Sequence, residues 1–193
     1  SVADYRPSLS KVLDWQERTP AIGVKVSPGV QISELASYPV EIEFISLGGD
    51  LKEAALWFGP LKTAIRRATL LPGEHSLSSD RPWEDDAGVR LPLSEPLNFI
   101  YEPDSAVIRA GLVADLGEQL NAAQLDADIA YLTANHRIET PFARSWQVEA
   151  WLPFSMKRLR AALRERQVGR LTVKKRGSPL QPENVIREMK LKG

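Results

Sequence analysis

The stretch from Glu41 to Phe58, EIEFISLGGDLKEAALWF, constrains this chain more than any other, because it leaves little alternative to an antiparallel sheet. Polar and apolar residues alternate from Glu41 to Leu47, the period of two that sends one set of side chains to a core and the other to a polar face. Gly48-Gly49-Asp50 supplies turn residues that tolerate positive φ, and β character resumes through Leu56, Trp57 and Phe58. Such a hairpin cannot be stable alone, so its apolar face needs neighbours. Ala64 to Leu71 predicts a further strand, and AIGVKV, Ala21 to Val26, predicts a largely buried one closed by Ser27-Pro28-Gly29. Ahead of it, Leu9, Val12, Leu13 and Trp15 stand at helical spacing, with Ser8 as the expected cap and Thr19-Pro20 as the stop.

From Pro72 to Pro96 the periodicity lapses among Pro, Gly, Ser and Asp, which predicts an irregular linker and the main internal boundary. Beyond it, Leu97 to Tyr101 reads as a strand. Asp104-Ser105 offers a helix start, and Val107, Ile108, Leu112, Val113, Leu116 and Leu120 form the stripe of a helix buried on one face. Ile129 to Thr133 and Ser145 to Leu152 are expected strands. A helix from the Ser155 cap to Arg166, a strand from Arg170 to Arg176, and a last helix from Pro182 to Lys190 complete the pattern. The fold class is therefore α/β in the broad sense, or α+β, with the second half resembling a two-layer sandwich.

Cysteine is absent, which excludes disulfides, a thiol nucleophile and sulfur-ligated zinc, and fits a reducing cytoplasm. No apolar run is long enough to span a bilayer, so no membrane partner is expected. The 25 basic and 25 acidic residues cancel formally, but they are segregated. Trp151 to Gly193 holds twelve basic and three acidic residues, while the first 150 residues hold 13 basic and 22 acidic. Asymmetry of this kind points to a basic contact surface at one end of the chain.

Catalytic signatures are scarce. There is no nucleophile elbow, P-loop or dinucleotide fingerprint. His75 and His136 read as solvated loop histidines, and no metal site is expected at either. Glu84-Asp85-Asp86 could attract a divalent cation, although adjacent loop carboxylates ordinarily stay solvated. A stand-alone enzyme would have to draw on Glu102, Asp104 and His136, among which no nucleophile and base pair is evident.

The basic cluster is more distinctive. Lys157, Arg160 and Arg164 recur at i, i+3 and i+7 and share a helix face beside Met156, Leu159 and Leu163. On the expected strand, Arg170, Thr172, Lys174 and Arg176 point one way and Leu171 and Val173 the other. Cations so spaced can each meet a separate phosphate of a polyanion. A solvated helix face with a charged edge strand that resists aggregation fits the same residues. Trp146 and Trp151 precede the cluster, where core packing is their first expectation and base stacking the second.

Three segments together resemble a known bacterial family. They are Glu41 to Phe58 with Arg66-Arg67-Ala68-Thr69-Leu70; the run Phe99 to Leu112, whose YEPDSAVIRAGL is the most specific piece; and Leu152 to Arg160 with Leu171 to Gly177. They are similar to the C-terminal part of class I SAM-dependent methyltransferase-like proteins with a THUMP-like domain. The resemblance implies a tail of a Rossmann-type domain in residues 1–39, a ferredoxin-like hairpin segment and linker in 40–96, and a THUMP-like domain in 97–193. Asp4-Tyr5-Arg6-Pro7 and Gly23 to Gly29 match the Rossmann part.

The family's SAM-binding glycine loop, ribose-binding acid and Asp-Pro type motif lie upstream and have no counterpart in this chain. The resemblance therefore implies SAM for the full-length protein, while this chain alone is expected neither to bind it nor to transfer a methyl group. Related chains continue past Lys190-Leu191-Lys192 into another strand, so the C-terminal edge is expected to be incomplete. THUMP domains are RNA-binding modules of tRNA-modifying enzymes, so the implied partner is RNA, with tRNA the candidate class. The implied contacts are Lys157, Arg160, Arg164, Arg170, Lys174 and Arg176. The rival reading is a protein-interaction or dimerisation module using the Trp-bearing hairpin.

Overall fold

The computed structural model describes residues 4–82 and 91–191. By its internal contacts the chain divides into two compact units, Ser1–Gln147 and Val148–Gly193.

The first unit holds two sheets. Strands β1 (Ile22–Val26), β2 (Val40–Leu47), β3 (Asp50–Phe58), β4 (Arg66–Leu71) and β5 (His75–Ser79) form a sheet of order β1-β3-β2-β4-β5. The expected hairpin is β2 and β3, antiparallel with Phe44 opposite Ala54, while β4 runs parallel to β2 with Ala68 opposite Phe44. A second sheet, order β7-β8-β6-β9, is built from β6 (Phe99–Pro103), β7 (Ala123–Asp126), β8 (Ile129–Ala134) and β9 (Ala143–Gln147). Helices α1 (Ser10–Gln16), α2 (Ser105–Arg109) and α3 (Val113–Gln119) complete the unit. This is the mixed α+β architecture that the pattern predicts.

Alternation on β2 sends Ile42 and Phe44 into the core with Leu56 and Phe58 of β3 and Ala68 of β4. Tyr101, Leu132, Val107, Leu112 and Leu116 belong to the same apolar cluster, so both sheets share one core. The expected divisions at 39/40 and 96/97 both fall inside this unit: β1 pairs with β3 across the first, and the common core spans the second.

Several local expectations are corrected. The stretch after Leu71 contains a strand, β5, which turns back on β4 through Gly73 and Glu74, both at positive φ. With Leu77 its one apolar residue, HSLSS carries no legible periodicity, and pairing with β4 rather than local propensity makes it a strand. After the undescribed residues, Gln124 and the 92–94 segment exchange backbone hydrogen bonds (Gln124 N–H to Pro92 O 2.9 Å, Ser94 N–H to Gln124 O 3.0 Å), so this end is pinned along β7. The single helix expected from 105 to 120 is two, broken at Gly111, whose φ of +65° ends α2. Ser8 does not cap α1; its hydroxyl meets that of Ser10 at 3.0 Å, and Leu9 and Val12 alone of the expected stripe are buried.

Asp104 is the cap of α2, its carboxylate accepting from Ala106 N–H at 2.8 Å. Asp104→Ala should lower stability by about 1 kcal/mol, read as a shift in urea midpoint at unchanged m-value. Two arginines tie the first sheet to α3. Arg66 donates to Gly111 O at 3.1 Å, and Arg81 donates to Glu118 at 2.8 Å, with Asp115 4.0 Å from the first and 3.7 Å from the second. Burial pushes the Arg66 guanidinium below its ordinary value, while Asp115 opposes that shift.

The second unit carries α4 (Met156–Glu165) and α5 (Pro182–Met189), with Val185 and Met189 buried. The strand expected at Arg170 to Arg176 does not form. Exposure still alternates there, with Arg170, Thr172 and Lys174 outward and Leu171 and Val173 half-buried. A strand is defined by a partner, and no other strand exists among the described residues of this unit. The strand expected through Leu152 likewise stops at Gln147.

Candidate nucleic-acid interface

Helix α4 is amphipathic because Leu159 and Leu163 fall on one side and Lys157 and Arg164 on the other. Both cations are exposed. Arg160 lies at the flank of the basic face, half-buried, and its guanidinium donates to the carbonyl of Glu188 at 2.5 Å. That carbonyl belongs to the last turn of α5, where helix carbonyls lack intrahelical donors and the dipole favours a cation. The structure thus gives Arg160 a structural role at the end of α5. Arg170, Lys174 and Arg176 are exposed on the extended segment between the helices, where Lys175 donates to Ser178 O at 3.3 Å.

The expectation of core packing for the two tryptophans is overturned. Trp151 is 51% exposed in the second unit, and Trp146, on β9 in the first, is 40% exposed. Phe154, three residues after Trp151, is 60% exposed. The second unit therefore presents aromatic faces as well as cations, a combination suited to single-stranded bases and their phosphates.

The first unit carries a polar face that sequence reasoning missed. Glu41 and Glu43 lie on the side of β2 opposite Ile42 and Phe44, yet both are buried, Glu41 completely. Oε2 of Glu41 accepts from Thr63 N–H at 2.6 Å and Ala64 N–H at 2.9 Å, and Oε1 is 2.5 Å from the Arg67 guanidinium. Glu43 accepts from Trp57 Nε1–H at 2.7 Å and Thr69 Oγ1–H at 2.5 Å. Trp57 lies over Gly23, where a Cβ would stand 2.6 Å from its ring. The hairpin tryptophan is thus engaged within its own sheet. Alternation predicts polar outward residues on β2, but the partners that bury them are up to 26 residues away, and no local signal marks them.

Neither Glu102, Asp104 nor His136 is arranged for catalysis. Asp104 is a helix cap, Glu102 accepts from Tyr131 O–H at 3.4 Å, and the backbone carbonyl of His136 accepts from Tyr101 O–H at 3.2 Å. His75 stands at the start of β5 rather than in an irregular loop. No group of three or more His, Asp or Glu that could hold a metal occurs among the described residues, and Glu84-Asp85-Asp86 lie outside them.

The turn after β1 does not fit SAM. In a doubly wound fold the cofactor meets a strand-to-helix turn whose backbone groups are open to it. Here the turn after β1 folds back, with Pro28 O and Val30 O both accepting from Arg109, and it leads into one 3-10 turn at Ile32–Leu35.

Residues 143–193 match a family model described as THUMP domain-like. Over its whole length the chain is 36% identical to uncharacterized S-adenosylmethionine-dependent methyltransferases from Mycobacterium tuberculosis strains CDC 1551 / Oshkosh and H37Rv. It covers 52% of each, so it spans about half the length of the curated relatives it matches. The fold is similar to that of a protein from Porphyromonas gingivalis W83, provisionally titled a methyltransferase, with a TM-score of 0.79 at 21% identity. That match covers 99% of this chain and 50% of the other. The chain therefore resembles, from end to end, a methyltransferase-like protein that includes a THUMP-like segment. Within the described residues no helix is long and apolar enough to cross a membrane.

Proposed function

We propose that this chain is the substrate-recognition region of a SAM-dependent methyltransferase-like protein acting in the cytoplasm, and that its second unit binds RNA, tRNA being the candidate class. The excess of exposed cations within the THUMP-like segment carries this reading: Lys157 and Arg164 on α4, then Arg170, Lys174 and Arg176 beyond it. These residues meet phosphates, Trp151 and Phe154 offer faces on which unpaired bases stack, and Arg160 secures α5 behind them. SAM and the methyl-transfer chemistry belong to the remaining length of the full protein. In that reading α1 and β1 are the end of a Rossmann-type domain, with a ferredoxin-like segment beginning at the hairpin.

Mobility shift with tRNA across a salt series tests the reading. Binding should weaken linearly in log–log form, and Lys157→Gln with Arg164→Gln should lower affinity about tenfold and flatten the slope by about 1.5. Lys174→Ala with Arg176→Ala should act in the same direction. Absence of any shift at low salt refutes the proposal.

A second reading has its own observation. Trp151, Phe154, Leu180 and Ile186 are all at least 40% exposed, so the second unit also suits a protein partner or a second copy. A salt-insensitive dimer by light scattering, without an RNA shift, would favour it.

A further inference from the structure

A cationic groove lies in the first unit, whereas the cluster that the sequence singles out belongs to the second. It encloses about 650 Å³ and is lined by His75, Arg137, Glu139, Thr140, Arg144 and Ser145, with Pro141 and Ala143. Strands β5 and β9, which supply His75 and Arg144, are edge strands of the two sheets. The turns of the first sheet lie at the same end, since Gly48 N–H donates to Leu71 O at 2.9 Å and ties the β2–β3 turn to the end of β4.

We infer that this groove receives a backbone phosphate of the RNA, as a contact separate from the basic cluster of the second unit. The inference rests on the RNA-binding reading above and deepens it. Arg144 is exposed, and its guanidinium lies against the β2–β3 turn, with Nη2 3.0 Å from where a Cβ on Gly49 would stand. Gly49 has a φ of +93°, so both the turn and the close approach of the arginine favour glycine there. Arg144 is thus placed before a ligand arrives. Glu102, opposite it in register on β6, accepts from Tyr131.

Arg137 has a carboxylate partner, Glu139, at 3.5 Å, but the two side chains are 58% and 85% exposed. A pair so exposed holds its partners weakly, so a phosphodiester can draw the guanidinium away. Two guanidiniums can serve the two free oxygens of one phosphate, and Thr140, Ser145 and the imidazole of His75 are further donors along the walls. At about 650 Å³ the groove is larger than a single phosphate needs, which leaves room for the nucleotides on either side of it.

The test uses the full chain and tRNA in fluorescence anisotropy over a salt series. Arg137→Gln with Arg144→Gln should weaken binding about tenfold and flatten the salt slope by about 1.5, with an unchanged unfolding transition. Glu139→Gln, which removes the competing carboxylate, should tighten binding two- to fivefold, an effect that loss of structure cannot imitate. Unchanged affinity in the double variant, while Lys157→Gln with Arg164→Gln still weakens binding, overturns the groove and leaves the RNA reading standing. No binding by the unaltered chain overturns the RNA reading and the groove with it. Sensitivity of the groove variant alone would keep the groove and move the RNA surface to the first unit.

Discussion

Glu41→Ala is expected to destabilise the first unit by about 3–5 kcal/mol, the usual result of removing one partner from a buried charged pair. Glu41 is fully buried, and its carboxylate accepts from the backbone N–H groups of Thr63 and Ala64, at 2.6 and 2.9 Å. Alanine would leave these donors without that acceptor, together with the Arg67 guanidinium, whose side chain is only 25% exposed. The connection between β3 and β4 depends on the same carboxylate, because Thr63 and Ala64 lie within it. Urea unfolding of Glu41→Ala, Arg67→Ala and the double variant gives the coupling directly. The double variant should be less destabilised than the two single losses added together. A loss below about 1 kcal/mol in Glu41→Ala would mean that water takes the place of the carboxylate and that the strand is not sealed there.

Gly59→Ala should be nearly as damaging for a different reason. An added Cβ would stand 2.0 Å from the carbonyl oxygen of Pro20 and 3.0 Å from its carbon, and both atoms are backbone. The residue also holds a φ of +58°, which costs a non-glycine residue roughly 1–2 kcal/mol. Overpacking against backbone adds about 1–3 kcal/mol, so the sum should lower Tm by roughly 4–20 °C in a chain of this size. Gly48→Ala is the control, since its φ is +63° but nothing lies within 4 Å of its Cβ. It should lose only the backbone contribution. Equal shifts in the two variants would show that the Pro20 contact relaxes freely.

Periodicity and turn chemistry make the hairpin readable because its information is local. The alternation through Glu41-Ile42-Glu43-Phe44 and the glycines after the strand specify pairing and turn within a few residues. The YEPDSAVIRAGL run likewise yields β6, the Asp104 cap and the Gly111 break once the positive φ of that glycine is known. Strand β5 was not readable, because a segment such as HSLSS becomes a strand only when β4 offers its edge. The reverse holds for Arg170 to Arg176, where a legible alternation finds no second strand to pair with among the described residues of its unit.

The candidate sites divide in the same way. Segregation of charge along the chain is a property of the sequence, and it singles out the THUMP-like segment before any coordinates. Exposure is a property of the fold, and it alone shows Trp151 and Phe154 to be uncovered and Glu41 to be sealed in. Arg160 illustrates the difference within one helix. Its spacing from Lys157 and Arg164 puts it on the basic face, while the end of α5 draws it away as a hydrogen-bond donor. Arg137 and Arg144 are unremarkable in sequence and line one groove only because the second sheet's edge meets the turns of the first.

The hairpin that constrains the chain most is also where the two kinds of information meet. Its pairing, its turn and the division of its residues into two faces follow from amino-acid order alone, since side chains on a strand alternate whatever surrounds them. Which of its polar residues would face water was decided only by tertiary structure. Arg67, Thr63, Ala64 and Thr69 reach Glu41 and Glu43 from elsewhere in the chain, and a carboxylate stays buried only where such donors converge.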